Sequence, residues 1–400
     1  MKKTLIENKE KIIIVFCYVI NFLIPILFFK EISSKLLPDE LGYFFFHLAI
    51  IVYLQYIIEY GFQVSIIKEL HDYINQSDLF SKEISNILFF RLFIFLIIII
   101  YVFNTEINNE LKSLYLILIG NVFSFQFIYQ VHNKLKDFYI TSLITKMAFI
   151  PLIFSINSKH AILLYILFNI IPNLIIFIYS KVKFNIKIFS INIKDIIKLI
   201  KNKFSFFISN ISITLYTSFY QLLLGIFNPI LLPAYALSDK LIRSIVAGNY
   251  IFIQMLQVNY MNKSNLYNKK KRIKTISIIF TLGIMESISL SIFSYFISYY
   301  LFSDINGLFY ILVLMSILIT IIILSNLFGM VFLTCSSNVP TLSKIFLFSA
   351  FFSVIYSPVL IYLFNIYGAI ISAIISESLV LVLCYLSYRK IFSINKNGTI

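Results

Sequence analysis

The chain has 400 residues, of which 60% are hydrophobic and 13% charged, with a net charge of +15. A soluble domain is about half apolar and a quarter charged, and a folded chain of this size has too little interior to hide such an excess. With roughly 20 apolar residues needed to cross about 30 Å of hydrocarbon, the composition fits about twelve membrane spans and leaves no room for a separate soluble domain. The lysines stand in connectors between apolar runs and form no solvated basic face, so a nucleic-acid partner is not expected.

Lys2, Lys3, Lys9 and Lys11 precede an apolar run from Ile12 to Phe29. The run is long and lacks a small-residue cleavage site, so it reads as a retained first helix and not a signal peptide. In chain order, spans one to six are expected at about 12–30, 41–60, 84–103, 112–131, 138–156 and 161–180. A basic, polar stretch at 181–203 follows. Spans seven to twelve are expected at about 204–227, 231–258, 275–301, 307–333, 342–365 and 368–388. The runs are apolar on all faces and too long for strands, and a helix satisfies its own backbone polar groups, as lipid requires.

With the N-terminus inside, the cytoplasmic segments would hold 25 of the 33 Lys and Arg residues. The outer loops would hold four, Lys30, Lys35, Lys112 and Lys159. That asymmetry is a positive-inside signal. It predicts an all-α integral membrane protein of twelve helices with both termini cytoplasmic. The stretch 181–203 divides it into residues 1–180 and 204–400, six helices each. Leu36-Leu37-Pro38 with Tyr43 at span two is echoed by Leu231-Leu232-Pro233 with Tyr235 at span eight. Parallel six-helix repeats are a known transporter plan. Pro25, Pro151, Pro172 and Pro358 interrupt spans and read as tolerated kinks or as hinges.

Charges inside spans are costly and each needs a reason. Span eight carries Asp239, Lys240 and Arg243. Asp239 and Arg243 are four apart and can pair on one helix face, while Lys240 lies roughly 13 Å below the helix start. The set reads either as an ion pair locking helices or as a net cation facing the bundle interior. Lys146 lies roughly 12 Å into span five. Arg91 in span three is deeper than snorkelling requires, and an interfacial role competes with a functional one. Glu286 in span nine and Glu377 in span twelve fall near mid-membrane. Each reads as a coupling group of an ion-driven carrier or as a hydrogen-bonded structural group. Glu59 ends span two, with Lys68 and Glu69 just beyond it, where an interfacial salt-bridge cluster would serve.

Cys17, Cys335 and Cys384 have no disulfide or metal spacing, and His47, His71, His132 and His160 are scattered, so neither metal nor cofactor is expected. There is no GxxxxGK[ST] loop, no HExxH and no nucleophile elbow. The short outer loops are too small for an outer-face catalytic domain.

Three segments carry a resemblance. Glu59-Tyr60-Gly61-Phe62, followed by Ser65 and Lys68-Glu69, resembles the segment after the second helix of O-antigen flippases. Phe204 to Arg243 resembles their seventh and eighth helices, through Phe206-Phe207-Ile208-Ser209, Leu215-Tyr216-Thr217, Leu224-Gly225 and Tyr235-Ala236-Leu237-Ser238-Asp239-Lys240. That family usually has Ala-Glu-Lys where this chain has Ser238-Asp239-Lys240. Tyr367-Gly368-Ala369 with Ser376-Glu377 resembles the opening of their last helix. The similarity is spread over the whole chain.

The resemblance implies a two-lobed fold shared with multidrug-and-toxin exporters and the lipid II flippase, with six helices per lobe around a central cavity. It implies a non-enzymatic flippase of a bacterial inner membrane, moving an undecaprenyl-diphosphate-linked oligosaccharide to the periplasmic leaflet. Membrane lipids and other polysaccharide assembly proteins would be its partners. Lys240, Arg243, Lys146, Lys68 and Arg91 would then offer charge-assisted hydrogen bonds to diphosphate and glycan. Glu59, Asp239, Glu286 and Glu377 would couple an ion or form structural pairs. Two other readings stand beside this one: a cation-coupled multidrug exporter of the same fold, and an integral-membrane O-antigen polymerase or glycosyltransferase.

Overall fold

The computed structural model describes residues 16–17, 20–21, 23–155, 158–188, 192–336 and 338–394. Lys2, Lys3, Lys9, Lys11, the start of span one and both chain ends lie outside them. Among the described residues all regular structure is helical. Among the described residues nine helical segments are long and apolar enough to cross a membrane, and none of the described residues forms a strand.

Those nine segments contain ten of the expected spans, because the last, Pro340–Phe392, holds two. Its backbone reverses at Asn365, which adopts φ 49° and ψ −124° inside the otherwise helical run Val339–Ile394. Asparagine tolerates positive φ better than most residues. A β-carbon on Gly368 would overlap the Leu360 carbonyl across this turn, which gives the glycine of the Tyr367-Gly368-Ala369 motif its structural reason. Span seven is longer than expected. Its helix is Ile193–Phe227, 35 residues, and so begins inside the basic stretch. Ser, Thr, Asn and Tyr dilute its apolar content, which is why it is not among the nine. Span one is helical where it is described, up to residue 33.

Several spans are not plain helices. Span four, Asn109–Val131, passes from an α-helical turn through a 3-10 turn at Tyr115–Ile117 to Leu118–Val122. It then breaks at Phe123–Phe125 and resumes at Gln126–Val131. Span five divides into Leu135–Met147 and Ile150–Phe154, with Pro151 at the restart. Span ten ends in a π-helical segment, Leu327–Leu333, a wider turn of the kind often found at functional sites. Span nine ends likewise at Ile297–Leu301.

The chain divides into two compact units, Met1–Leu36 with His47–Ile211 and Leu37–Phe46 with Ser212–Ile400. In the first, span one is tied to span five by the Ser142 hydroxyl donating to Asn21 Oδ1 at 2.9 Å. Tyr129 donates to the Ile176 carbonyl at 2.9 Å, joining spans four and six. In the second, Gly42 near the start of span two and Gly225 near the end of span seven admit close packing. A β-carbon on Gly42 would overlap the Pro229 carbonyl, and one on Gly225 would overlap the Phe46 ring. Close backbone approach through small residues is how membrane helices gain packing energy without a hydrophobic driving force between them.

Candidate functional site

Span eight begins with a 3-10 turn at Pro229–Leu231 and continues unbroken as Leu232–Met261. Helical periodicity puts Asp239 and Arg243 on one face, and they pair, with Arg243 Nε 2.9 Å from Asp239 Oδ2. Span seven supplies two more groups. Gln221 donates to Asp239 at 3.0 Å, and Arg243 Nη2 donates to the Thr217 carbonyl at 3.0 Å. The last helix supplies Glu377, whose carboxylate lies 3.9 Å from Arg243 Nη1. Beside it the Ser376 hydroxyl donates to the Tyr216 carbonyl at 3.0 Å, and the Tyr220 hydroxyl bonds both partners. Asp239 and Glu377 are 5% and 4% exposed, so one guanidinium stands between two buried carboxylates.

Of the two readings of this set, a locking ion pair and a net cation, the Asp239–Arg243 contact fits the first. With Glu377 brought in from span twelve, two carboxylates offset Lys240 and Arg243. Lys240 lies exposed on its unit's surface, while Arg243 is held inside the network. Glu286 is not isolated either. Asn249 of span eight donates to it at 2.7 Å. Sequence reasoning missed Gln221 and Asn249, which are uncharged and carry no motif signal; Thr217, part of the Leu215-Tyr216-Thr217 motif, takes part through its backbone carbonyl.

In the first unit Arg91 is fully buried. Its Nη1 donates to the Ser124 carbonyl at 2.7 Å, the backbone group left over by the break in span four. Gln63 donates to that carbonyl and to the Ser124 hydroxyl, both at 3.1 Å. The guanidinium sits 5.0 Å from the Phe125 ring centre, 5.8 Å from Phe127 and 6.0 Å from Phe62, a cation–π cage. Glu59 accepts from Gln55 at 3.1 Å. Lys146 is half-buried, 6.0 Å from the Phe168 ring centre, with no carboxylate at ion-pair distance among the described residues.

The segment after span two packs on the start of span seven, so two of the resembling segments meet. Tyr60 and Gly61 both have positive φ, 49° and 75°, and turn the chain sharply. The Tyr60 ring stacks on Phe207 with centres 4.3 Å apart, and a β-carbon on Gly61 would lie 3.2 Å from Phe206. Lys203, 5% exposed, pairs with Glu69 and donates to the Ser65 carbonyl at 3.0 Å. Lys68 itself is exposed. Within the second unit the structure thus gathers Asp239, Arg243 and Glu377 at one place, while Glu286 pairs elsewhere with Asn249.

Comparison with solved structures finds a similar fold in transporters of the MOP superfamily. A multidrug-resistance MATE-family transporter in an inward-facing conformation aligns with a TM-score of 0.71 at 12% identity, over 98% of this chain and 100% of that one. A MATE transporter from Vibrio cholerae gives 0.63 at 12% identity, over 98% of each chain. A MOP-superfamily transporter from Pyrococcus furiosus, described as having a binding pocket of reverse polarity, gives 0.56 at 14% identity over 98% and 97%. At such identities the likeness is one of fold. An Escherichia coli (strain K12) protein named "Putative O-antigen transporter" is 25% identical over 151 residues. That match spans 36% of this chain and 36% of the relative's own length. The model of the family described as "Polysaccharide biosynthesis protein" matches residues 9–263, well over half the chain, and the chain belongs to that family.

Proposed function

We propose that this protein is a flippase carrying an undecaprenyl-diphosphate-linked oligosaccharide from the cytoplasmic to the periplasmic leaflet of a bacterial inner membrane, by alternating access and without covalent chemistry. The observation that carries the reading is the charged knot of spans seven, eight and twelve. Maintaining Asp239, Arg243 and Glu377 inside a membrane bundle is costly. A purely structural helix contact could be made more cheaply with apolar side chains. Membership of a polysaccharide biosynthesis family, together with a fold found in transporters, supports this substrate class. Lys240, exposed one residue from the buried pair, is the cation best placed to meet a diphosphate; Lys146 and Lys68 are further candidates along the path. Arg91 we assign to holding the break in span four.

The same proposal includes twelve spans in two six-helix lobes, divided near 181–203, with both ends cytoplasmic. The nine membrane-capable segments, the double span at Asn365, the Ile193–Phe227 helix and the described part of span one support that count. Reporter fusions at each connector test it.

Deleting the gene is expected to abolish surface polysaccharide and leave lipid-linked repeat units on the inner leaflet. Re-expressed Lys240→Gln is expected to accumulate normally and restore export poorly. Normal surface polysaccharide in the deletion strain would sink the proposal. A polymerase defect would instead leave single repeat units on the surface. A multidrug exporter would show itself as drug hypersensitivity with polysaccharide intact.

A further inference from the structure

The connectors that carry lysine are built differently in the two units. In the first unit, acidic residues are interleaved with the lysines and neutralise several of them. Lys82 pairs with Asp195 at 2.7 Å, Lys187 with Asp78 at 3.8 Å, Lys183 with Asp137 and Lys203 with Glu69. In the second unit no Asp or Glu occurs from Ser244 to Met285, nor from Leu379 to the end of the chain. Within that acid-free region stand Lys263, Lys269, Lys270, Lys271 and Lys274. A carboxylate neutralises none of the five among the described residues.

Their position deepens the imbalance. Lys269, Lys270 and Lys271 open the 28-residue helix Lys269–Phe296, where the positive end of the helix dipole opposes added cations. An anion is the missing complement. The neighbouring Arg272 behaves differently. It is 6% exposed and donates to the Leu266 carbonyl at 2.6 Å and to the Tyr388 hydroxyl at 3.2 Å. Its guanidinium lies 4.1 Å from the Phe392 ring centre. Arg272 therefore bolts the helix start to the end of the last helix and fixes how its neighbours project. Lys269, Lys270 and Lys274 are exposed and Lys271 half-exposed. Lys270 and Lys274 are one turn apart on the same face.

The surroundings set the depth. Lys263–Tyr267 is a short helix with Leu266 buried and Tyr267 47% exposed, a disposition typical of the membrane interface. Exposed apolar side chains begin at the last of these lysines, with Ile273 beside Lys274 and then Ile278 and Phe280. The cations thus sit where hydrocarbon gives way to headgroups.

We infer that Lys263, Lys269, Lys270, Lys271 and Lys274 form a docking surface for the phosphate headgroups of anionic membrane phospholipids. Polybasic clusters at the membrane edge are attracted to anionic leaflets in this way. The inference stands apart from the proposed substrate.

The test uses full-length protein in nanodiscs of phosphatidylcholine with or without phosphatidylglycerol. Bound phosphatidylglycerol is counted by native mass spectrometry, and melting is followed in both lipids. The wild type is expected to retain phosphatidylglycerol and melt higher in its presence. K269Q/K270Q/K271Q/K274Q is expected to lose both effects, while K30Q/K35Q/K112Q, away from the cluster, keeps them. If the quadruple variant elutes as aggregate, K270Q/K274Q is read instead, with a partial loss expected. Retention by the variant equal to wild type would overturn the inference, as would equal loss in K30Q/K35Q/K112Q. Displacement of phosphatidylglycerol by millimolar pyrophosphate, but not by equal ionic strength of chloride, would also overturn it, because the surface would then select a diphosphate.

Discussion

The Glu377 carboxylate stands 3.9 Å from the Arg243 guanidinium, and Arg243 is at the same time bonded to Asp239 at 2.9 Å. One cation thus serves two buried anions from different helices. The three members are not equivalent. Removing Arg243 leaves two carboxylates buried without a counter-charge, the situation that costs about 3–5 kcal/mol when a buried pair is broken. Removing Glu377 leaves Arg243 still bonded to Asp239 and to the Thr217 carbonyl. Thermal unfolding in detergent is expected to rank the losses Arg243→Ala, then Asp239→Asn, then Glu377→Gln. An Arg243→Ala protein as stable as wild type would show that the network carries no structural load.

The Arg91 cage makes a second prediction. Arg91 and Gln63 share the Ser124 carbonyl, so either alone can keep that group from being orphaned. An unsatisfied buried acceptor costs about 1–3 kcal/mol. Arg91→Leu and Gln63→Leu are each expected to cost less than that for the carbonyl itself, and the double variant more than their sum. Arg91→Lys retains charge but not the planar fork that lies among three rings, so it should fall between wild type and Arg91→Leu. A double-mutant cycle on melting temperature checks this; strict additivity would mean the two residues do not share the acceptor.

How much of this the sequence reveals follows from the range of the interaction. Hydropathy is local, and ten of the expected spans fall on the nine membrane-capable helical segments among the described residues. The Asp239–Arg243 pair is likewise local, four residues apart on one helix. The approach of Glu377 to Arg243 depends on how span twelve packs, which no periodicity encodes. The break in span four lies at Phe123-Ser124-Phe125, without the Gly or Pro that marks a break, so Arg91 has no visible partner in the sequence. The reversal at Asn365 falls between the spans expected at about 342–365 and 368–388, where the apolar runs part and Gly368 follows three residues on. The basic stretch 181–203 looked like a plain connector because its lysines mask the helix that starts at Ile193.

Gly368 permits a third test. A methyl group there meets the Leu360 carbonyl, a backbone atom that cannot swing aside. The Asn365 turn that sets this approach has positive φ. Gly368→Ala is expected to reduce the yield of folded, monodisperse protein, and Gly368→Val to do so further. Asn365→Gly, which relieves the positive φ, is expected to be neutral or mildly stabilising. Fluorescence-detected size exclusion reads all three. Normal yield for Gly368→Val would mean the turn adapts and the glycine is not required.

The Lys203–Glu69 pair gives a prediction whose order runs against charge symmetry. The lysine side chain is 6% exposed and the glutamate 44%. In Lys203→Met the carboxylate left behind can be solvated, and the methionine fills the buried space; the principal loss is the hydrogen bond to the Ser65 carbonyl. In Glu69→Gln the ammonium stays buried and loses its counter-charge, while the amide offers only a neutral acceptor. Burying an unpaired charge is the costlier event. Glu69→Gln is therefore expected to lower the melting temperature more than Lys203→Met, although it is the smaller chemical change. Combining them should recover part of the Glu69→Gln loss, since the double variant contains no buried ammonium to leave unpaired. If Lys203→Met proves the more damaging, water reaches Lys203 freely and the pair belongs to the surface.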